Sequence, residues 1–406
     1  MKFIHLADLH FGKLLGGISL ASSGDQEAWC RHCIEAVERE EPDAVLIAGD
    51  VFDRSQPSAE ARRLASGFLT ELTRRTRVLM VAGNHDSGDN VEYLSGLLRE
   101  AGLYAAGIVE REMKRVTLRD AYGEVTFWLA PYFFPTRVAE ALGVEVRTYT
   151  QAARALIEAQ GIDTGTRNVL LAHQLVLSGA EEPERGGSET SVGGVGQIDV
   201  HAFDDFDYVA LGHIHKPQPI GRAAVRYAGA PLCYHFDEAG KEDERNATLG
   251  ILVVEMGAKG TEPTFRRIPT PPLHPLRNVR GTLEEILRRE RNDARRGEYL
   301  RVVLSDLVLP AGTRERMDAL FAERGSRLVE LGRSFERAGT REAQRAQVGE
   351  RSVQELFFDY AAYQLGDRPL TEQEQALILR AAELLEQTHE EEKDKAAAQL
   401  AKEVSA

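Results

Sequence analysis

Short apolar runs of strand length, each cut off abruptly by polar residues, recur through the first half of the chain. Residues 2–7 run into Asp8-Leu9-His10, 43–48 into Gly49-Asp50-Val51-Phe52-Asp53, and 77–82 into Gly83-Asn84-His85-Asp86. Residues 168–172 run into His173-Gln174, and 206–211 into Gly212-His213-Ile214-His215. Amphipathic helical segments lie between several of them, as at 62–75 and 151–160. Alternating strands and helices predict an α/β sheet, whose ligands gather at the carboxyl ends of the strands.

Beyond the stiff connector Thr270-Pro271-Pro272-Leu273-His274-Pro275 the pattern reads strand 276–280, helix 282–294, strand 299–304, helix 313–323 and strand 327–333, a small α+β module. Residues 339–351 are polar and read as a linker. Ser352 caps a helix, with Glu355 three residues on; residues 366–369 break it, and a second helix starts at Thr371. Two helices alone bury Phe357, Phe358 and Tyr360 poorly, which predicts a docking element. The expected domains are therefore 1–270, 276–338 and a C-terminal helical pair at 352–406.

A length of 406 residues calls for two or three domains, and 43% hydrophobic with 28% charged residues describes a soluble globular chain. No apolar run approaches a membrane span, Asp8 comes too early for a signal peptide, and three cysteines build no disulfide framework. A cytoplasmic protein without membrane contact is expected. The net charge of −14 argues against a general polyanion binder. Residues 276–351 nevertheless carry 17 basic against 13 acidic side chains, which permits a nucleic-acid contact there. Arg288, Arg289 and Arg295 are either a solvated helix face or phosphate contacts.

All five apolar runs end in residues drawn from Asp, Asn and His. One such ending is ordinary loop polarity, and His213 with His215 alone would be a surface coincidence; five together predict a metal site. Residues i and i+2 of an extended chain face one side, so those two imidazoles converge. Gly49, Gly83 and Gly212 let the backbone turn sharply or pass close, as a crowded site requires. Carboxylates, an amide oxygen and imidazoles without a thiolate favour Mn²⁺, Fe²⁺ or Zn²⁺ over an iron–sulfur cluster or structural zinc. The ligands exceed the needs of one ion. Two ions about 3.5–4 Å apart are the arrangement that clamps attacking and leaving oxygens at phosphorus. Asp50, central in its motif, is the natural bridge.

In combination these motifs resemble the calcineurin-like metallophosphoesterases, and within them the nuclease-subunit family of the bacterial SbcCD complex. The phrases "AGDVFD", "AGNHDS" and "ALGHIHKPQ" carry the closer likeness, with Tyr227-Ala228-Gly229-Ala230-Pro231 and Phe236-Asp237-Glu238-Ala239-Gly240-Lys241. The resemblance implies a sandwich of β-sheets flanked by helices. It gives one metal to Asp8, His10, Asp50 and His215, and the second to Asp50, Asn84, His173 and His213. It places His85 beside the scissile phosphate, and Asp53 and Asp86 behind the ligands, orienting imidazoles. Some relatives carry histidine at the position of Asp53. The implied cofactors are two divalent ions, Mn²⁺ foremost and Mg²⁺ as the alternative. The implied activity is exonuclease action on duplex ends and endonuclease action on single-strand or hairpin DNA, in end processing, repair and recombination. Residues 276–338 would cap and position DNA, and 352–406 would dock on the SMC-type ATPase SbcC, in a heterotetramer built on a homodimer.

Two rival readings share the scaffold. Asp50-Val51-Phe52-Asp53-Arg54 comes close to a protein-phosphatase motif, although Ser55 stands where glycine is expected, so a phosphatase or small-molecule phosphodiesterase is one. A non-catalytic DNA-binding assembly protein is the other, and the complete ligand set argues against it. Trp29-Cys30-Arg31-His32-Cys33 mimics a thioredoxin motif but sits in a helical segment, 27–39. The glycine-rich part of 178–197 reads as a mobile surface loop near the site. Tyr93, Leu94, Leu97 and Leu98 read as a helical stripe buried in the core, with dimerisation as the alternative. His5 and His32 are expected to pack structurally, and His235, His274 and His389 have no assigned role.

Overall fold

The structure is a computed structural model and describes residues 1–179, 182–184, 196–239, 249–306 and 308–334, with Thr371 and Gln375. The chain divides into two compact units, Met1–Phe335 and Glu336–Ala406. The C-terminal helical pair, with Phe357, Phe358 and Tyr360, lies outside the described residues, as does most of the glycine-rich loop.

The first unit is built on strands β1 (Lys2–Leu6), β2 (Ala44–Ala48), β3 (Arg77–Val81), β4 (Leu103–Ala106), β5 (Lys114–Asp120), β6 (Gly123–Ala130), β7 (Arg167–His173), β8 (Tyr208–Gly212), β9 (Gln218–Ile220), β10 (Arg222–Tyr227), β11 (Gly250–Glu255) and β12 (Thr264–Pro269). They form two six-stranded mixed sheets, in the orders β12-β11-β1-β2-β3-β4 and β9-β10-β8-β7-β6-β5. The inner pairings β1–β2, β2–β3 and β7–β8 are parallel, and the outermost strands β12 and β5 are antiparallel to their neighbours. Each inner strand is buried on both faces, which is why β2 and β7 read as unbroken apolar runs.

Alternation divides each strand between two layers. Phe3, Leu46, Leu79, Phe127, Leu171 and Tyr208 share one apolar core between the sheets. Ile4, Val45, Ile47 and Met80 pack on the other side with helices α1 (Asp25–Glu40) and α2 (Ala59–Thr73), where Trp29, Cys30, Cys33 and Phe68 are buried. Cys30 and Cys33 therefore sit on a packed helix face, and burial pushes both thiols up. His5 is buried too, its Nδ1 2.8 Å from the Tyr208 hydroxyl.

Of the expected apolar stripe, Leu98 packs against the core, but Tyr93, Leu94 and Leu97 do not. Leu94 adopts a left-handed backbone (φ 59°) that splits the segment into α3 (Gly88–Glu92) and α4 (Ser95–Glu100). Tyr93 and Leu97 are left 71% and 69% exposed. Helices α5 (Pro135–Leu142) and α6 (Tyr149–Glu158) cover the second sheet, α6 opening with a capping box formed by Thr148 and Gln151.

Residues 276–333 form a separate three-stranded sheet of β13 (Leu276–Gly281), β14 (Tyr299–Leu304) and β15 (Arg327–Arg333). Both pairings are parallel, so the module is a βαβαβ unit crossed by α7 (Leu283–Arg291) and α8 (Thr313–Ala322), more regular than mixed α+β. Helix α7 stops at Arg291, short of the expected 294. Val279, Ile286, Leu300, Val302, Met317 and Phe321 make its core. The module is tied to the larger sheets through polar groups. Asp25 accepts from the backbone N–H and Nδ1 of His274 and from the Tyr299 hydroxyl, and Arg301 donates to Asp237 at 2.6 Å.

Candidate metal centre

The carboxyl ends of β1, β2 and β3 in one sheet and of β7 and β8 in the other meet at one edge, and all seven expected ligands gather there. Small residues make that approach feasible. A Cβ on Gly212 would lie 1.8 Å from the Ala48 carbonyl oxygen, and one on Gly49 2.3 Å from His173 Nδ1. One on Gly83 would lie 2.1 Å from Asp50 Oδ1. Asp8, His10, Asp50 and His213 all hold positive φ, a strained backbone for these residue types that concentrates where side chains must be aimed.

Asp50 sits at the middle. Its Oδ2 lies 3.5 Å from His10 Nε2 and 3.4 Å from His173 Nε2, and its Oδ1 accepts the His85 N–H at 2.9 Å. On one side, Asp8, His10 and His215 bring ligand atoms within 4.8 Å of one another, and the Nε2 atoms of His10 and His215 are 3.2 Å apart. On the other, Asn84 Oδ1 lies 3.0 Å from His173 Nε2 and 3.1 Å from His213 Nδ1. Two groups of donors thus share one carboxylate.

Hydrogen bonds behind the ligands set their tautomers. His173 Nδ1 donates to the Ala48 carbonyl at 2.8 Å, which turns Nε2 toward the site as the nitrogen that would meet a metal. His215 Nδ1 donates to Glu238 Oε1 at 2.8 Å. Glu238 is buried, and its second oxygen accepts the Tyr234 N–H at 2.8 Å. The Tyr234 hydroxyl donates to the carbonyls of Asp8 and Leu9, and its ring packs edge-on to His10 and His215. Glu238 lies in one of the stretches that carry the family likeness, but neither it nor Tyr234 was given this role from the sequence.

The other expected residues separate. Asp53 lies 3.7 Å from His10 Nδ1 and accepts from Lys13 Nζ at 2.8 Å. Asp86 orients no imidazole; its oxygens are taken by the N–H groups of Val51, Phe52 and Gly83 at 2.9–3.0 Å. That binds the β2 and β3 loops together instead. His85 is exposed, its Nδ1 donating to the Asp53 carbonyl at 2.9 Å and its ring 4.9 Å from His10. His10, Asp53 and His85 also form a grouping within 4.8 Å. Arg288, Arg289 and Arg295 are exposed on the βαβαβ module, with Arg289 donating to Glu290 and Arg295 to Asp293.

The electrostatics suit cations. Asp8 Oδ2 is buried without a hydrogen-bond partner, an arrangement that costs free energy unless a positive charge compensates it. Burial pushes the Asp8 carboxyl up to about 6. Burial also works against charge on Asp50, but the His173 and His10 imidazoles outweigh it and hold that carboxyl well below the usual range. His173 is raised to about 9, Asp50 overcoming the effect of burial. The donor set of carboxylate, amide oxygen and imidazole fits two hard or borderline divalent ions.

The calcineurin-like phosphoesterase family profile matches residues 1–217, and the profile described as the type 5 capsule protein repressor C-terminal domain, SbcD_C, matches 272–364. Two similar proteins, both named as the SbcD component of the nuclease SbcCD, come from Staphylococcus epidermidis and Staphylococcus saprophyticus subsp. saprophyticus. They are 29% and 30% identical over 314 and 320 residues, each match covering 76% of this chain and 79% of the relative.

Proposed function

Because the chain belongs to the SbcD family of calcineurin-like phosphoesterases, we propose that it cleaves DNA phosphodiesters at this centre with two divalent metal ions, Mn²⁺ foremost. The observation that carries the reading is the position of Asp50 Oδ2, shared at 3.4–3.5 Å between two groups of donors. One ion is assigned to Asp8, His10, Asp50 and His215, the other to Asp50, Asn84, His173 and His213. Bound there, the ions would supply charge stabilisation at phosphorus and a water nucleophile at neutral pH.

The chain's own groups do the rest. Asp50 holds the two halves of the site in register from the end of β2. Glu238 and the Ala48 carbonyl fix the His215 and His173 tautomers. His85, with Nδ1–H committed to the Asp53 carbonyl, presents Nε2 as its exchangeable position, the place from which a proton reaches the leaving oxygen. The βαβαβ module, through Arg288, Arg289 and Arg295, contributes salt-sensitive phosphate contacts. Residues 352–406, with Phe357, Phe358 and Tyr360, dock on an SbcC-like SMC-type ATPase in an assembly built on a homodimer, acting in DNA end processing.

Cleavage of a labelled DNA hairpin with and without Mn²⁺, set against a chromogenic phosphate monoester, tests the reading. Manganese-dependent cutting of the hairpin is expected. Turnover of the monoester with the hairpin left intact would favour a phosphatase and overturn it.

A further inference from the structure

A cavity of about 470 Å³ opens beside Asn84 and is walled by Ile108, Tyr132, Phe133, Phe134 and Arg137. Two of these apolar groups, Phe134 at 54% and Ile108 at 44%, are exposed in the monomer. Tyr132 stands edge-on to His173, with ring centroids 6.4 Å apart, and edge-on to Phe134 at 5.2 Å. Aromatic rings therefore run from a group assigned to the metal centre out to the rim. The Phe134 backbone is held by the start of α5, where its carbonyl accepts the N–H of Arg137, while no side-chain cap depends on the ring.

The charges of the wall say what would fit. Asp89 and Glu140 line it with one basic group, Arg137, itself paired with Glu140 at 3.0 Å, while the oxygens of the third carboxylate, Asp86, are already taken by backbone N–H groups. Such a wall repels a phosphate backbone. It accepts a neutral aromatic ring whose exocyclic amino group can donate to the Asp89 carboxylate. The volume lies in the range of small-ligand pockets, roughly 300–1,000 Å³.

We propose that this cavity is a nucleobase subsite, in which an unpaired base next to the scissile phosphate stacks on Phe134 with Tyr132 behind it. The proposal rests on the DNA-nuclease reading above and adds a requirement to it. The nucleotide beside the cleaved bond must leave its helical stack, so cutting is confined to single-stranded, frayed or looped positions.

The test is a set of single-stranded oligonucleotides, each with one abasic residue stepped across the cleavage position, cut in Mn²⁺ by wild type, Phe134→Ala and Phe134→Trp. In wild type, one abasic position should lower kcat/KM by about 5- to 150-fold, the range for losing one base–aromatic stack. Phe134→Ala should cost a similar factor on the intact strand and no further factor on that abasic strand, because both changes remove one interaction. Phe134→Trp should restore most of the rate on the intact strand. Equal cleavage at every abasic position, or losses that multiply, would overturn the subsite while leaving the nuclease reading intact. Failure of wild type to cut any DNA would overturn that reading and the subsite with it.

Discussion

Replacing Glu238 by glutamine exchanges one heavy atom and should be felt at the metal centre. The carboxylate accepts from His215 Nδ1 at 2.8 Å on one oxygen and from the Tyr234 N–H at 2.8 Å on the other, and is enclosed. A glutamine amide offers one acceptor and one donor in that space. It keeps one bond and turns an N–H against an N–H at the other. The unmet buried donor costs about 1–3 kcal/mol, and loss of a carboxylate partner behind a ligating histidine typically weakens metal affinity about 10- to 100-fold. Isothermal titration of metal-free protein with Mn²⁺ reads the effect ion by ion. The ion assigned to His215 should weaken by that factor, while the one assigned to His173 stays near wild type. Much of the cleavage rate should return at saturating Mn²⁺. Two unchanged affinities would refute the claim that Glu238 holds His215 for a metal.

Asp50→Asn should abolish cleavage and lower the metal content measured by mass spectrometry, with the fold retained; full occupancy and normal activity would remove Asp50 from the bridge. His85→Gln should reduce turnover by about 10²–10⁴-fold while metal content holds, and the loss should shrink on a nitrophenyl phosphodiester, whose leaving group needs no proton. Loss of an ion from that variant would instead favour the His10, Asp53 and His85 grouping. Gly212→Ala, which places a methyl group 1.8 Å from the Ala48 oxygen, should destabilise the chain by about 1–3 kcal/mol or more in chemical unfolding; wild-type stability would contradict the close approach. A chain ending at Arg351 should retain Mn²⁺-dependent cutting of single-stranded DNA but fail to co-purify with an SbcC-like ATPase, and unaltered complex formation would place the docking surface elsewhere.

The gathering of the seven candidate ligands was legible because each closes an apolar run that must be buried on both faces, so its polar end has one place to go. Residues whose role arises only in three dimensions were not. Glu238 follows His215 by 23 residues in an irregular segment, and no period announces that it returns beneath that imidazole. The resemblance placed Asp86 behind an imidazole, but the tight β3 turn puts amide N–H groups closer. The 93–98 stripe has helical spacing, yet the left-handed backbone at Leu94 breaks the helix and leaves Tyr93, Leu94 and Leu97 exposed, with Leu98 alone of the four packed inward. Parallel pairing in the 276–333 module was implicit in its strand–helix alternation, since parallel neighbours need a crossover.

The central claim is that two ions acting as a pair on one shared carboxylate cut DNA. Titrating metal-free protein with Mn²⁺, while measuring bound metal and hairpin cleavage in the same samples, tests it most directly. Cleavage should stay near background until the second equivalent binds and rise in step with it. Full activity with a single ion bound, or none with both sites filled, would contradict the account.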